Sequence, residues 1–216
     1  MNYLIHGCSK RKWYIDGYLI PSLREQGIEP CTYIDNGAEG NLFATMNSFH
    51  YCGDAWHLQD DVVICKDFAK RAKDAELITC GFCRLDKSIP DTSGKQKANK
   101  MWFSFPCIYI PGKIAKECAE WFFREGIKTD DIHLRRLIEL KKGDDSFFKE
   151  FIDKYYSKTD VINLKPNLVD HIDYLIGGSI ANNIGHMDIG SMSAYFEDST
   201  AKERLKKWLE KADHLK

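Results

Sequence analysis

Trp56-His57-Leu58-Gln59-Asp60-Asp61-Val62-Val63 is the stretch whose reading decides the fold: an apolar run delivers two adjacent carboxylates and then turns apolar again. Two carboxylates roughly 5 Å apart repel by about 3 kcal/mol at an effective dielectric near 20, so a chain that keeps them together at a strand end must neutralise them. A bound divalent cation would do so. If Ala55 to Leu58 is a short buried strand, both acids fall beyond its carboxyl end, where open α/β sheets place their ligands. The competing reading is a solvated turn in which Asp60 or Asp61 caps a helix beginning near Cys65. Taken alone, the octapeptide leaves both open.

Upstream, residues 3 to 8 form an apolar run suited to a buried first strand, with Gly7-Cys8-Ser9 as the turn after it. Lys10, Arg11 and Lys12 follow at once, ahead of helical apolar spacing at Ile15, Tyr18, Leu19 and Leu23. Bases at the first turn of a helix oppose its macrodipole. They read either as contacts to an anion or as a solvated basic turn. Pro21 is expected to kink or restart this helix, and Gly27 fits its C-terminal cap. Cys31 to Ile34 reads as a second strand ending at Asp35, so a parallel pair is the natural expectation. An acid in Asp35's place commonly accepts hydrogen bonds from a ribose, although Asp35-Asn36-Gly37 is also a plain turn former.

Downstream the alternation continues. A helix through Phe68 and Ala72 is expected after Asp61, then a strand over Glu76 to Phe82. Residues 86 to 100 are polar, with Pro and Gly, and read as a long loop of the kind that forms lids. In it Lys95, Lys97 and Lys100 suit either a diphosphate or plain solvation. Met101 to Ile110 is extended in character, with Pro111 opening the next helix. Asp144 is a credible N-cap for the helix carrying Phe147, Phe148, Phe151 and Ile152, which accounts for one acid of the Asp144-Asp145 pair and not for both. Val161 to Leu164 reads as a last strand stopped by Pro166. His171 then sits among apolar neighbours, as a satisfied core residue or as a ligand. Gly177-Gly178-Ser179 offers flexible backbone amides. Thr200 with Glu203 makes a capping box for a final amphipathic helix, which packs on the body or on a partner.

The 216 residues suit one domain, spanning 1–198, with 199–216 as the appended C-terminal helix. The formal net charge of -1 gives no global pull toward nucleic acid or anionic membrane. No apolar run reaches the roughly 20 residues of a membrane span, and residues 1–6 lack a signal peptide's features, so a cytoplasmic protein is expected. The eight cysteines fit buried reduced thiols, because Cys80-Gly81-Phe82-Cys83 has no second pair to complete a four-ligand site.

Four features arrive in a recognisable order: His57-Leu58-Gln59-Asp60-Asp61; Phe105-Pro106-Cys107-Ile108-Tyr109-Ile110-Pro111; Gly143-Asp144-Asp145; and Pro166-Asn167-Leu168-Val169-Asp170-His171. As an ordered set they resemble a GT-A-fold glycosyltransferase, in particular small phage or bacterial members. The resemblance implies an α/β fold with a mostly parallel central sheet flanked by helices. It implies a nucleotide sugar as donor, with UDP favoured, and Mn2+ or Mg2+ as cofactor. The metal ligands it implies are Asp61 and His171. Gln59 and Asp60 would stand beside the nucleotide or donor sugar. Apart from the resemblance, Ser9 and Arg11 of the Ser9 to Arg11 turn, together with Asp35 and Ser179, are further nucleotide-contact candidates. Asp145 would be the catalytic base of an inverting transfer, with Asp144 as its neighbour. Gln59 departs from the family's Asp-x-Asp form. The acceptor stays open among a modified DNA base, a protein, a polymer and a glycan, and so does the oligomeric state. Two rivals stand beside this reading: a nucleotidyltransferase, whose glycine-rich basic loop Gly7-Cys8-Ser9-Lys10-Arg11 imitates poorly, and a nonenzymatic nucleotide-sugar-binding protein.

Overall fold

The computed structural model describes residues 1–36, 40–83, 93–100, 105–126, 144–177, 195–212 and 214. In chain order its strands are β1 (Asn2–Cys8), β2 (Cys31–Asp35), β3 (Ala55–Gln59), β4 (Val62–Ile64), β5 (Thr79–Cys80), β6 (Gly94–Lys97), β7 (Cys107–Ile110), β8 (Asp160–Asn163) and β9 (Val169–His171). Seven of them make one sheet in the order β2-β1-β3-β7-β5-β8-β6, and β4 pairs with β9 in a small ribbon beside it. β1, β2 and β3 are mutually parallel, and β5 is parallel to β8. Only β7, wedged between β3 and β5, and the edge strand β6 run the other way. This is a mixed α/β fold with a mostly parallel central sheet flanked by helices. The carboxyl ends of β2, β1, β3, β5 and β8 therefore share one edge.

Side-chain alternation explains why both sheet faces are covered. Trp56 and Leu58 of β3, with Cys107 and Tyr109 of β7, enter one core cluster. Ile108 and Ile110 point into the other. The first cluster includes Tyr14, Tyr18, Leu19 and Leu23 of the continuous helical run Lys12–Tyr14, Ile15–Leu19 and Ile20–Arg24. The run's middle segment is a π-helical turn, and Pro21 restarts the regular helix. Gly27, at φ +78, follows the helix end. The C-terminal helix Ser199–Lys211 lies on this same side, buried through Ala201 and Leu205, with Trp208 stacked on Trp13 at a ring separation of 5.7 Å. The opposite face is covered by Asn41–Tyr51, Gly112–Trp121 and Asp144–Tyr155, which supply Phe49, Ala115, Cys118, Phe148 and Ile152.

Several expectations change. The helix after Asp61 does not start there, because Val62-Val63-Ile64, β-branched and apolar on both faces, pairs with β9, a strand the sequence did not announce. The helix begins at Phe68, after Asp67, so neither Asp60 nor Asp61 caps it. Within the predicted loop of 86 to 100, Gly94–Lys97 is a strand instead: β6 pairs antiparallel with β8, and Lys97 forms an ion pair with Asp160 at 2.5 Å. Residues 84–92 lie outside the described residues. The capping box at Thr200 gives way to Asp198, whose carboxylate accepts the Ala201 N–H at 3.2 Å and the Thr200 hydroxyl at 2.6 Å. Among the described residues all eight cysteines are free thiols, and no helix is long and apolar enough to cross a membrane.

Gly81, just past β5, sits where three elements close on the sheet edge. A Cβ there would lie 2.7 Å from Cys107 Sγ and 3.0 Å from both Trp56 and Leu168. Gly81→Ala is therefore expected to destabilise the fold by about 1–3 kcal/mol, the usual range for overpacking a filled core. A lower urea midpoint at unchanged slope is the signature to look for.

Candidate functional site at the carboxyl edge of the sheet

β3 ends at Gln59 and β4 starts at Val62, so Asp60 and Asp61 are the whole connection between the main sheet and the ribbon. Each acid is fixed by a different neighbour. Asp60 Oδ2 accepts the backbone N–H of Cys8, at the end of the adjacent β1, at 2.9 Å. Asp61 belongs to the ribbon side: its carbonyl accepts Ile172 N–H at 2.8 Å, and the register pairs Val62 with His171. That pairing carries His171, 110 positions later, onto Asp61, with Nε2 3.1 Å from Oδ2.

Arg11 enters from the short 3-10 turn Ser9–Arg11 that follows β1. Its guanidinium donates to Asp60 Oδ1 at 2.8 Å and to Asp61 Oδ2 at 2.6 Å. The side chains of Arg11, Asp60, Asp61 and His171 are only 5%, 10%, 12% and 10% exposed, so these charges act on one another with little screening. The base that seemed misplaced at a helix start has its anion inside the chain. Asp173, two residues after His171, lies 3.5 Å from Nδ1 and orients the ring from the other side. Tyr14 Oη donates to the Val62 carbonyl at 2.7 Å and ties the first helical run to the ribbon.

The two acids part in their titration. Burial, and then repulsion from Asp61, pushes Asp60 up to about 6. Burial also works against ionising Asp61, but His171 and then Arg11 outweigh it and hold that carboxyl below its ordinary range. His171 is opposed by burial and raised by Asp61 and Asp173. Arg11, likewise desolvated, is raised by both acids and stays a cation. In β3 the buried His57 has neither ring nitrogen hydrogen-bonded among the described residues, and burial drives it well below its ordinary value. It packs edge-on against Phe49, with ring centroids 4.6 Å apart, as a neutral core side chain.

The remaining candidates fall into three groups. Gln59 and Asp35 stand at the same edge, opposite His6 and Cys8 of β1 respectively. Ser9 is exposed at the start of the turn that carries Arg11. Ser179 lies outside the described residues. Asp144 and Asp145 open the helix Asp144–Tyr155, and their side chains lie outside what the structure describes. Sequence reasoning missed Asp173, whose signal was its place two residues after a histidine in Asp170-His171-Ile172-Asp173. It also missed the pairing of Asp170, 1% exposed, with Lys202 of the C-terminal helix.

Among the described residues no group of three or more His, Cys, Asp or Glu side chains is arranged to hold a metal ion. Asp61 and His171 nevertheless offer one carboxylate and one imidazole, and Asp61 Oδ1 is buried with no hydrogen bond among the described residues. Two protein ligands suit a cation that takes its other ligands from phosphate oxygens and water.

No protein-family model matches this chain, and no curated protein sequence matches it. Among solved structures, A197 from STIV is 17% identical and superposes with a TM-score of 0.43 over 80% of this chain and 86% of that one. The CTP:phosphocholine cytidylyltransferase of Streptococcus pneumoniae, LicC, is 11% identical with a TM-score of 0.44 over 79% and 92%.

Removing the guanidinium tests the network. Arg11→Met should cost about 3–5 kcal/mol at pH 7, as expected when one partner of a buried ion pair is lost. The pH dependence has a defined sign. Folded Asp60 keeps its proton to about 6 against an ordinary 3.8, so its contribution weakens stability as pH rises between those values. Asp61, depressed when folded, contributes stability that is present above its ordinary 3.8 and lost as pH falls through its folded value. His171, raised when folded, contributes stability that is complete below its ordinary 6.5 and lost as pH climbs through its folded value. Urea denaturation of Arg11→Met at pH 5 and pH 7 should show the deficit shrinking at pH 5, where Asp60 takes up a proton; an equal deficit at both would refute the network.

Proposed function

We propose that this chain is a glycosyltransferase that moves a sugar from a nucleoside diphosphate, UDP favoured, to an acceptor hydroxyl. The observation that carries this reading is the convergence of Asp61 and His171, with Arg11 beside them, at the carboxyl edge of a mostly parallel sheet. Ligands of open α/β sheets bind at that edge. A buried guanidinium beside Asp60 and Asp61 is matched to a diphosphate. The ordered motifs quoted above supply the rest.

Asp61 and His171 would hold Mn2+ or Mg2+, which when bound supplies Lewis-acid neutralisation of the leaving diphosphate. The chain's own residues do the remaining work. Cys8 N–H and Arg11 lock Asp60, so that Asp61 is presented from a fixed connection. Arg11 adds permanent positive charge near the leaving group. Asp173 keeps the His171 ring turned toward Asp61. Asp145 accepts the proton of the acceptor hydroxyl as its oxygen attacks the anomeric carbon and the bond to the diphosphate breaks. Attack from the face opposite the leaving group inverts the anomeric centre.

Nucleotidyl transfer is the second reading: the stretch Gly7 to Arg11 imitates that class's glycine-rich loop poorly, but the buried Arg11 ends the turn that follows β1, where such enzymes carry their basic residues. The products separate the two, since sugar transfer releases a nucleoside diphosphate and nucleotidyl transfer releases pyrophosphate.

Calorimetry of UDP-sugars with and without Mn2+ tests the site. Asp61→Ala should abolish the metal-dependent part of donor binding, a larger loss than the roughly 10–100-fold typical of a supporting residue; unchanged affinity removes Asp61 from the site. Asp145→Asn should leave donor affinity intact and lower turnover by about two to four orders of magnitude, the range of general-base catalysis. Proton NMR of the product linkage should show inversion, and a retained configuration would dismiss Asp145 as the base.

A further inference from the structure

At the other end of the same edge, β5 and β8 terminate beside a second polar cluster. Asn163, the last residue of β8, is fully buried, and its Oδ1 accepts the thiol of Cys83. Its Nδ2 has no hydrogen-bond acceptor among the described residues. Two positions on, Lys165 Nζ is also buried without an acceptor among the described residues. The ammonium instead lies 3.7 Å from the centre of the Tyr195 ring. Asn167 braces the group, accepting Cys83 N–H at 2.9 Å and donating to Cys83 O at 3.1 Å. Ser93 Oγ donates to the Lys165 carbonyl at 2.7 Å.

Cys83 is not a counter-ion to Lys165. Burial pushes its thiol up to about 12, against the pull of Lys165, so it stays neutral at physiological pH. What remains is an ammonium and an amide N–H, both withdrawn from water, held on a braced backbone and without an acceptor among the described residues. Leaving such donors unmet is costly, and a charged one most of all. A ligand that brings acceptor oxygens satisfies both.

We propose that Lys165 and Asn163 form an oxyanion subsite, which receives a phosphate or carboxylate group of the acceptor. β8 stands three strand spacings from β3 in the sheet order, about 14 Å at roughly 4.8 Å per strand, so this contact is separate from the Asp61 end. That the anion belongs to the acceptor rests on the transferase reading above; the anion contact itself stands on the two donors alone.

Calorimetric titration of the full chain with inorganic phosphate, and separately with acetate, tests it, with UDP present at saturation so that the other basic groups of the edge are engaged. Phosphate, acetate or both should bind saturably, and the stronger of the two names the group. Lys165→Met should weaken that binding by roughly tenfold or more, the worth of one charge-assisted hydrogen bond, while Lys165→Arg retains most of it. If Lys165→Met does not fold, Asn163→Asp decides in the same way, since it replaces a donor with a negative charge. The subsite is overturned if neither anion binds the wild-type chain, or if the folded variant binds as tightly as wild type. UDP titrated alone separates the two proposals: a wild-type chain that ignores UDP but binds phosphate through Lys165 loses the transferase reading and keeps the subsite.

Discussion

Two neighbouring carboxylates in a buried connection are the constraint on which this structure turns, and the Arg11 guanidinium is what makes them tolerable. One nitrogen reaches both acids. That requires β1 to end beside β3, the turn after β1 to fold back, and the helical run that follows to lie on the ribbon's side of the sheet. The parallel pairing of β1 with β3 meets the first requirement. Tyr14 and Tyr18, packed in the same core cluster as Trp56 and Val62, meet the last. Local sequence near Arg11 argues against placing a base there; the gain comes from a contact about fifty positions away, which is why the site and the fold cannot be separated.

Much of the architecture was legible in the sequence because it is written in short-range patterns. The strand-helix-strand start, the buried strand ahead of Asp60 and the helix bearing Phe148 and Ile152 each follow from apolar spacing and flanking turn residues. The direction of β7 was not legible: an antiparallel strand buried on both faces has the same apolar run as a parallel one. β4 was mistaken for the start of a helix because three apolar residues carry no period of their own. β6 was hidden by its lysines, which are natural on an edge strand and look the same in a loop.

The site divides along the same line. The acids and the histidine were found as motifs in order, and the structure brings Asp61 and His171 together through the β4–β9 register. The bond from Arg11 to both acids was only half visible, as an unexplained base in search of an anion. Asp173 and the Lys202–Asp170 pair had no signal strong enough to separate them from ordinary surface charge. The buried donors of Asn163 and Lys165 had none at all, since an orphaned amide is a property of its surroundings and not of its neighbours in sequence.

The direct passage from β3 into β4 through two residues has an evolutionary consequence. A strand shows alternate residues to alternate faces, so adding or deleting one residue in this connection would rotate the phase of everything on one side of it. Surface loops elsewhere can lengthen at small entropic expense. Here a single-residue indel would turn one acid out of the crevice and shift Val62 off its partner strand. Surface loops can thus diverge in length while the join that carries the two acids is held at two residues.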